Sequence, residues 1–325
     1  MDYELLLTAP GGGSTRDITQ LVRSMTWSGS VKQVARELSL SMAVPRDGSL
    51  EPPALEVGSV LTLRKNGAPL FTGALLSPTT DSQSVIVDLA ALDNGRFLVG
   101  NEGWYKFKNA TPEAAVRAMA GDFGIPVGAL AAAGIPISRK FAGIALDRIA
   151  QTMYNLAGAQ NGKRYLIRFN GSGALEVVEK PDAAGFTISS TMGVTNTWDI
   201  RDLQNSVAIY SDTGALIRRE QDAASIQTNG RLEHVMTQSD GEDVGAEARA
   251  WLEDHGLQQK LTVQVLGDHR LVSGNAVILK DTGVGASGLF WIDADTHTWK
   301  NGQYFTKVTL NFRNLTGSSL SGSEL

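Results

Sequence analysis

Two stretches far apart in the chain are written in the same way, and that echo limits the folds open to it. Gly58-Ser59-Val60-Leu61-Thr62-Leu63-Arg64 lies over Gly274-Asn275-Ala276-Val277-Ile278-Leu279-Lys280. Gly73-Ala74-Leu75-Leu76 lies over Gly288-Leu289-Phe290-Trp291, and Val85-Ile86-Val87-Asp88-Leu89 over Val308-Thr309-Leu310-Asn311-Phe312. Ahead of these, Asp17-Ile18-x-x-Leu21-x-x-Ser24-Met25 lies over Asp199-Ile200-x-x-Leu203-x-x-Ser206-Val207. The matches keep chain order and in–out parity. Parity matters because a one-residue slip turns every strand side chain to the other face. Any one match is generic hairpin writing, shared by unrelated β domains. Four in order favour a duplicated β-barrel over two unrelated β domains.

The sequence therefore predicts a mainly β chain, with two tube-like β-barrel domains flanking a mixed α/β middle domain. Residues 1–97 are the first barrel, 98–190 the insert, 191–315 the second barrel with one helix, and 316–325 a flexible Ser/Gly tail. In the first part, strands are expected at Tyr3–Thr8, Gly58–Lys65, Ala68–Leu76 and Gln83–Leu92, with a turn-rich loop over Pro45–Pro53. Asn66-Gly67 is a type I′ turn signal. In the insert, Thr111, Pro112 and Glu113 open a helix in the order N-cap, first turn and acidic N-terminus, and Gly124 ends it. A second helix is expected over Ala142–Ala157, then a hairpin across Asn170-Gly171-Ser172-Gly173. Strand character returns at Leu203–Tyr210 and Ala215–Arg219, a helix at Ala246–His255, and strands again at Ala276–Lys280, Leu289–Ala294 and Thr306–Phe312.

Composition narrows the function classes. With no cysteine there is no disulfide framework, thiolate metal site or cysteine nucleophile. A net charge of −5 argues against a nucleic-acid or anionic-membrane binder. MDYELLLTAPGGG is not a signal peptide, and no apolar run approaches the roughly 20 residues that span a bilayer.

Candidate chemistry is sparse. Asp293, Asp295 and His297 stand at i, i+2 and i+4, on one face of an extended strand. Such a set can bind a metal, with His269 or Asp268 completing it. The competing reading makes this the solvent or interface face, because Phe290, Ile292 and Ala294 occupy the other. No HExxH or HxxxH spacing favours the metal, so no metal site is assigned. Gly283-x-Gly285-x-x-Gly288 has the letters of a dinucleotide loop but is followed by a strand rather than a helix, so it reads as a hairpin turn. Asp122-Phe123-Gly124 closes a helix. Gly-x-Ser-x-Gly is absent. Trp104, Tyr105 and Phe107 suit either stacking on a sugar or base or anchoring their own core, and the core reading is preferred. Trp27 and Trp299 read as packing residues. No catalytic, cofactor or metal residue is assigned.

The stretch DITQLVRSMTWSGSVKQVARELSLSMAV, Asp17 to Val44, resembles the opening of baseplate hub proteins of contractile phage tails and phage-tail-like bacteriocins, in particular the XkdQ-like hubs of PBSX and diffocin-type particles. YKFKNATPEAAVRAMAGDFGIPVG, Tyr105 to Gly128, is similar to that family's second domain. GDHRLVSGNAVILKDTGVGASGLFWIDADTHTW, from Gly267, resembles its C-terminal barrel. The resemblance spans nearly the whole chain. It implies a homotrimer that joins a hexameric tail tube protein to a trimeric spike or tip protein, with LysM-bearing and other baseplate proteins as neighbours. It also implies a place in the baseplate of a virion or tail-like particle assembled in the bacterial cytoplasm. It implies no enzyme, no membrane partner and no specific nucleic-acid binding. The rival readings are a tail-associated cell-wall hydrolase using Asp293, Asp295 and His297, and a carbohydrate-binding module using Trp104 and Tyr105.

Overall fold

The computed structural model describes residues 3–44, 53, 55–80, 84–239, 243–280, 283–314 and 319–324. With 51% strand and 18% helix, the chain is mainly β. It divides into two compact units, one of residues 1–194 with 262–325 and the other of 195–261.

The first unit opens with β1 (Tyr3–Thr8), β2 (Thr15–Asp17), β3 (Val22–Ser30), β4 (Gln33–Ala43), β5 (Val60–Lys65), β6 (Ala68–Leu75), β7 (Thr79–Thr80) and β8 (Ile86–Asp93). The strands form because apolar residues alternate: Leu5 and Leu7, Leu38, Leu40 and Met42, and Leu61 and Leu63 are all buried, and together they make one core. Asn66 and Gly67 both have positive φ (50° and 79°), the type I′ geometry expected between β5 and β6. The expected loop over Pro45–Pro53 lies outside the described residues, apart from Pro53.

The middle of the chain follows a short helix α1 (Gly95–Val99) and runs β9 (Glu102–Ala110), α2 (Pro112–Asp122), β10 (Val127–Leu130), β11 (Ile137–Ala145), α3 (Leu146–Asn161), β12 (Tyr165–Phe169) and β13 (Leu175–Glu179). Its core is a separate cluster in which Val116 and Met119 of α2 meet Ile149, Met153 and Tyr154 of α3. Asp122-Phe123-Gly124 does close α2. The helix expected from Ala142 begins at Leu146 instead. Residues 142–145 belong to β11, paired with β9, and Gly143 sits at φ +62°, a left-handed conformation foreign to a helix interior.

The rest of the chain begins with β14 (Phe186–Ile188) and β15 (Gly193–Asp199). The second unit contains β16 (Ser206–Ser211), β17 (Leu216–Gln221), α4 (Ala223–Asn229), β18 (Glu233–Gln238) and α5 (Gly245–Asp254). Its sheet runs β17-β16-β18, and Val207, Ile209 and Ala248 form its small core. The sequence reading places these residues inside the second barrel; in the structure they form a compact unit of their own.

The chain then completes the first unit with the 262–266 end of β19 (Gln258–Leu266), β20 (Ala276–Lys280), β21 (Ser287–Lys300), β22 (Gln303–Asn311) and β23 (Ser323–Glu324). The GxGxxG string is the turn between antiparallel β20 and β21. The large sheet passes β19-β22-β21-β3-β4-β8-β6-β5-β1-β2, so the first and last β regions are hydrogen-bonded neighbours through β3 and β21. This path does not return on itself, and no closed barrel is found among the described residues.

Within it the echo is visible as strand order, β4-β8-β6-β5 in the first half and β19-β22-β21-β20 in the second; the next strands differ, β1 running antiparallel to β5 and β14 parallel to β20. Gly58 N–H donates to Leu75 O while Leu75 N–H donates to Ser59 O; Gly274 N–H donates to Ile292 O while Ile292 N–H donates to Asn275 O. Both glycines have left-handed φ, +88° and +93°. Three sequence matches need adjustment. Leu75 corresponds to Ile292, two residues beyond Phe290, an even shift that keeps parity. Leu75 lies opposite Ala91 of β8 and Ile292 opposite Leu310 of β22, so Leu310 corresponds to Ala91, four residues beyond Val87. The match of 17–25 with 199–207 does not correspond in the fold, since Met25 lies in the large sheet and Val207 in the separate three-stranded one.

The tail differs from its expectation. Among the described residues, 319–324 are held against the middle region, with β23 paired to β11.

Candidate functional site

Four buried polar residues of the first unit, Ser273, Asp295, His297 and Thr306, lie together where its two β regions join. Asp295 and His297 of β21 are 1% and 0% exposed, so they do not form a solvent face. The cause is a β-bulge. Ile292 pairs with Leu310 and Ala294 with Thr309, which leaves Asp293 as the extra residue. Inserting one residue reverses parity. Phe290 and Ile292 point inward before the bulge, and Asp295, His297 and Trp299 point inward after it.

The inward positions line up across the sheet. His297 lies opposite Trp27 of β3, which lies opposite Leu38 of β4; Trp299 lies opposite Met25, and Met25 opposite Leu40. Asp295 lies opposite Gly29. A Cβ on Gly29 would stand 2.3 Å from Arg36 Nη1. The missing side chain on β3 is therefore what lets Arg36 reach from β4 across it to β21.

Arg36 grips Asp295 with both terminal nitrogens, Nη1 to Oδ1 at 3.0 Å and Nη2 in a closer contact with Oδ2. Nη1 also donates to Ser273 Oγ at 3.2 Å, and Ser273 N–H donates to Asp295 Oδ1 at 2.6 Å. The guanidinium lies 4.3 Å from the Trp27 ring centroid, within cation–π range. Burial pushes the Asp295 carboxyl up, but the Arg36 charge, the neighbouring His297 and the Arg36 hydrogen bonds override this and hold it well below the usual carboxylate range. His297 Nδ1 lies 2.8 Å from Tyr304 Oη and 3.2 Å from Thr306 Oγ1. Its Nε2 stands 3.1 Å from Asp295 Oδ2, off the line of a hydrogen bond.

Asp293 goes elsewhere. Burial raises its pKa, opposed by a 3.0 Å bond from Asn311 Nδ2 and by the Lys180 charge. Asp293, Asp295 and His297 therefore do not converge on one accessible point. Among the described residues no group of three His, Asp or Glu is placed to hold a metal ion. His269 pairs with Lys65 Nζ at 3.1 Å rather than with the cluster.

The arrangement can clamp, but its carboxylate is fully engaged and offers no free general base. Sequence reading missed Arg36 and Ser273. The usable signal was Gly29, a gap in an otherwise filled strand, with an arginine seven residues on.

The aromatic candidates divide. Trp27 and Trp299 are buried packing residues. Tyr105 and Phe107 stack at 5.4 Å, and Phe107 meets Phe141 edge-on. Trp104 is 61% exposed, with Lys140 Nζ 5.4 Å from its ring centroid, so the core reading fails for it.

A family model described as YQBQ-like matches residues 25–311, which include every element of this clamp. The chain belongs to the YQBQ-like family. Two relatives from Bacillus subtilis (strain 168), the protein YqbQ and the phage-like element PBSX protein XkdQ, are each 22% identical to it, over 90% of this chain and 93% of theirs. Among solved structures, the 43 kDa tail protein of prophage MuSo2 from Shewanella oneidensis superposes with a TM-score of 0.74 at 14% identity, covering 96% of this chain and 98% of that one. A tail protein from Neisseria meningitidis MC58 gives 0.71 at 16%, covering 95% and 96%. The Escherichia coli c3393 protein, described as a component of the type VI secretion system similar to T4 tail proteins gp27 and gp5, gives 0.53 at 11%, covering 94% and 76%. At these identities the likeness is one of fold.

Proposed function

We propose that this chain is a structural baseplate hub of a contractile phage tail or tail-like particle. The observation that carries the reading is the end-to-end fold match to two tail proteins, over 95% or more of every chain compared. The repeated strand order supports a finer reading. Regions 1–97 and 191–315, the latter carrying the compact 195–261 unit as an insertion, act as two tube-like domains, complete only within an assembly, and 98–190 faces neighbouring baseplate proteins, a LysM-bearing one among them. Three copies give six quasi-equivalent units about one axis, which mates a hexameric tube to a trimeric spike. Within each copy, the Arg36–Asp295 clamp ties the two repeats together so that axial load passes from one to the other. The role is not enzymatic; a buried carboxylate occupied by arginine does not suit a hydrolase.

The test is the mass of the chain purified alone and co-expressed with the spike protein of its own gene cluster. The reading expects a trimer in the co-expressed sample. A chain that stays monomeric there, and does not enter particles, overturns it. Retention of peptidoglycan-clearing activity by the purified chain would favour the hydrolase instead.

A further inference from the structure

The C-terminal segment occupies a built site. Ser323 pairs with Lys140 and Glu324 with Arg139, which adds β23 to the edge of β11. Arg139 Nε donates to Ser321 O at 2.5 Å and Nη2 to Gly322 O at 3.1 Å. From α3, Asn155 Nδ2 donates to Ser319 O at 3.1 Å, and Ser321 N–H donates to Thr152 Oγ1 at 2.9 Å. With the segment in place Arg139 is 7% exposed and Thr152 0%. Gly322 sits at φ +76°, and a Cβ there would stand 2.4 Å from Lys140 O, so only glycine fits. These contacts read main chain and demand small residues, which is how a sheet edge recognises an added strand.

We propose that this edge of β11, with Arg139 and α3, is a strand-receiving site, and that in an assembly of several copies it takes the 319–324 segment of a neighbouring copy. Little apolar surface holds the segment; Leu320 is 71% exposed. Leaving costs it hydrogen bonds rather than a core. Leaving also strips Arg139 and an edge strand of partners, so an empty site favours any identical segment nearby. Exchange of an identical element is an inexpensive route to oligomers. The proposal uses the multi-copy assembly only as a source of local concentration.

The chain has no cysteine, which permits a clean test. Lys140→Cys and Ser323→Cys are made in separate full-length chains carrying different tags, mixed at high concentration and oxidised. Exchange predicts mixed-tag disulfide dimers in about tenfold excess over same-tag dimers, and their loss when Gly322→Val accompanies Ser323→Cys. If mixed dimers do not form while the double variant K140C/S323C closes within one chain, exchange is wrong. If the double variant does not close either, the site itself is wrong. Neither result bears on the trimer mass, which tests the hub reading separately.

Discussion

Asp93 in the first β region and Asp295 in the last are both buried, and both meet Arg36, yet they are pushed in opposite directions. Asp93 ends β8, 3% exposed, and accepts the Gly95 N–H at 2.8 Å. Burial outweighs its main-chain bonds and the more distant Arg36 charge, and raises its pKa to about 6. Asp295 is deeper, but both its oxygens face the guanidinium, and it is held low. Depth sets the desolvation cost equally for any carboxylate; what decides the outcome is which one receives the arginine's donors. The join between the two β regions is therefore asymmetric. The last region depends on a side chain from the first, and the first pays for its own buried acid with main-chain donors alone.

The largest break in that asymmetry comes from removing one partner. Arg36→Ala or Asp295→Ala leaves a buried charge alone and should cost about 3–5 kcal/mol, read as a lowered urea midpoint. Replacing both by apolar residues of similar volume should cost much less. If the single and double changes cost the same, the clamp is not what holds the join.

The pH dependence separates the two acids. For Asp93 the folded pKa lies above the model-peptide value of 3.8, so its contribution is fully present below that value and is lost as pH rises through about 6. Asp93→Asn keeps an acceptor for Gly95 and should flatten that part of the stability curve, gaining about 2–3 kcal/mol at neutral pH. For Asp295 the sign is reversed: its contribution is present above the unfolded value and is lost as pH falls toward its depressed folded one. A stability curve unchanged by Asp93→Asn between pH 4 and 7 would contradict the first half of the comparison.

Gly29→Val tests the path between the regions. Its side chain would occupy the space of Arg36 Nη1, and should cost about 1–3 kcal/mol in urea unfolding. The loss should shrink in an Arg36→Met background, because the displaced group is then uncharged.

Much of the fold was legible because it is local. The Asn66-Gly67 turn, the α2 boundaries at Thr111 and Gly124, and the Gly58 and Gly274 turns all follow from residue chemistry at the spot. What was hidden depends on pairing partners. The bulge at Asp293 comes from the register between β21 and β22, and nothing in WIDADTHTW marks it. Strict alternation therefore put Asp295 and His297 on the wrong face, and the clamp went unseen. Likewise Ala142–Ala145 satisfies a helical stripe but is claimed by pairing with β9, and the Ser/Gly tail looks disordered until Arg139 supplies its partner.

The smallest effect probes the echo itself. Gly58→Ala has open space around the new methyl and should cost only about 1 kcal/mol of backbone strain. Gly274→Ala meets Leu166 Cδ2 at 2.4 Å and should cost more than that in thermal unfolding. Equal losses would mean that only the shared left-handed turn matters.

The most direct test of the central claim is an averaged electron-microscopy image of the assembled particle with this chain tagged. The account predicts three tags related by a three-fold axis on the tail axis, between the tube and the tip. Tags placed off that axis, or in a number that is not a multiple of three, would contradict it.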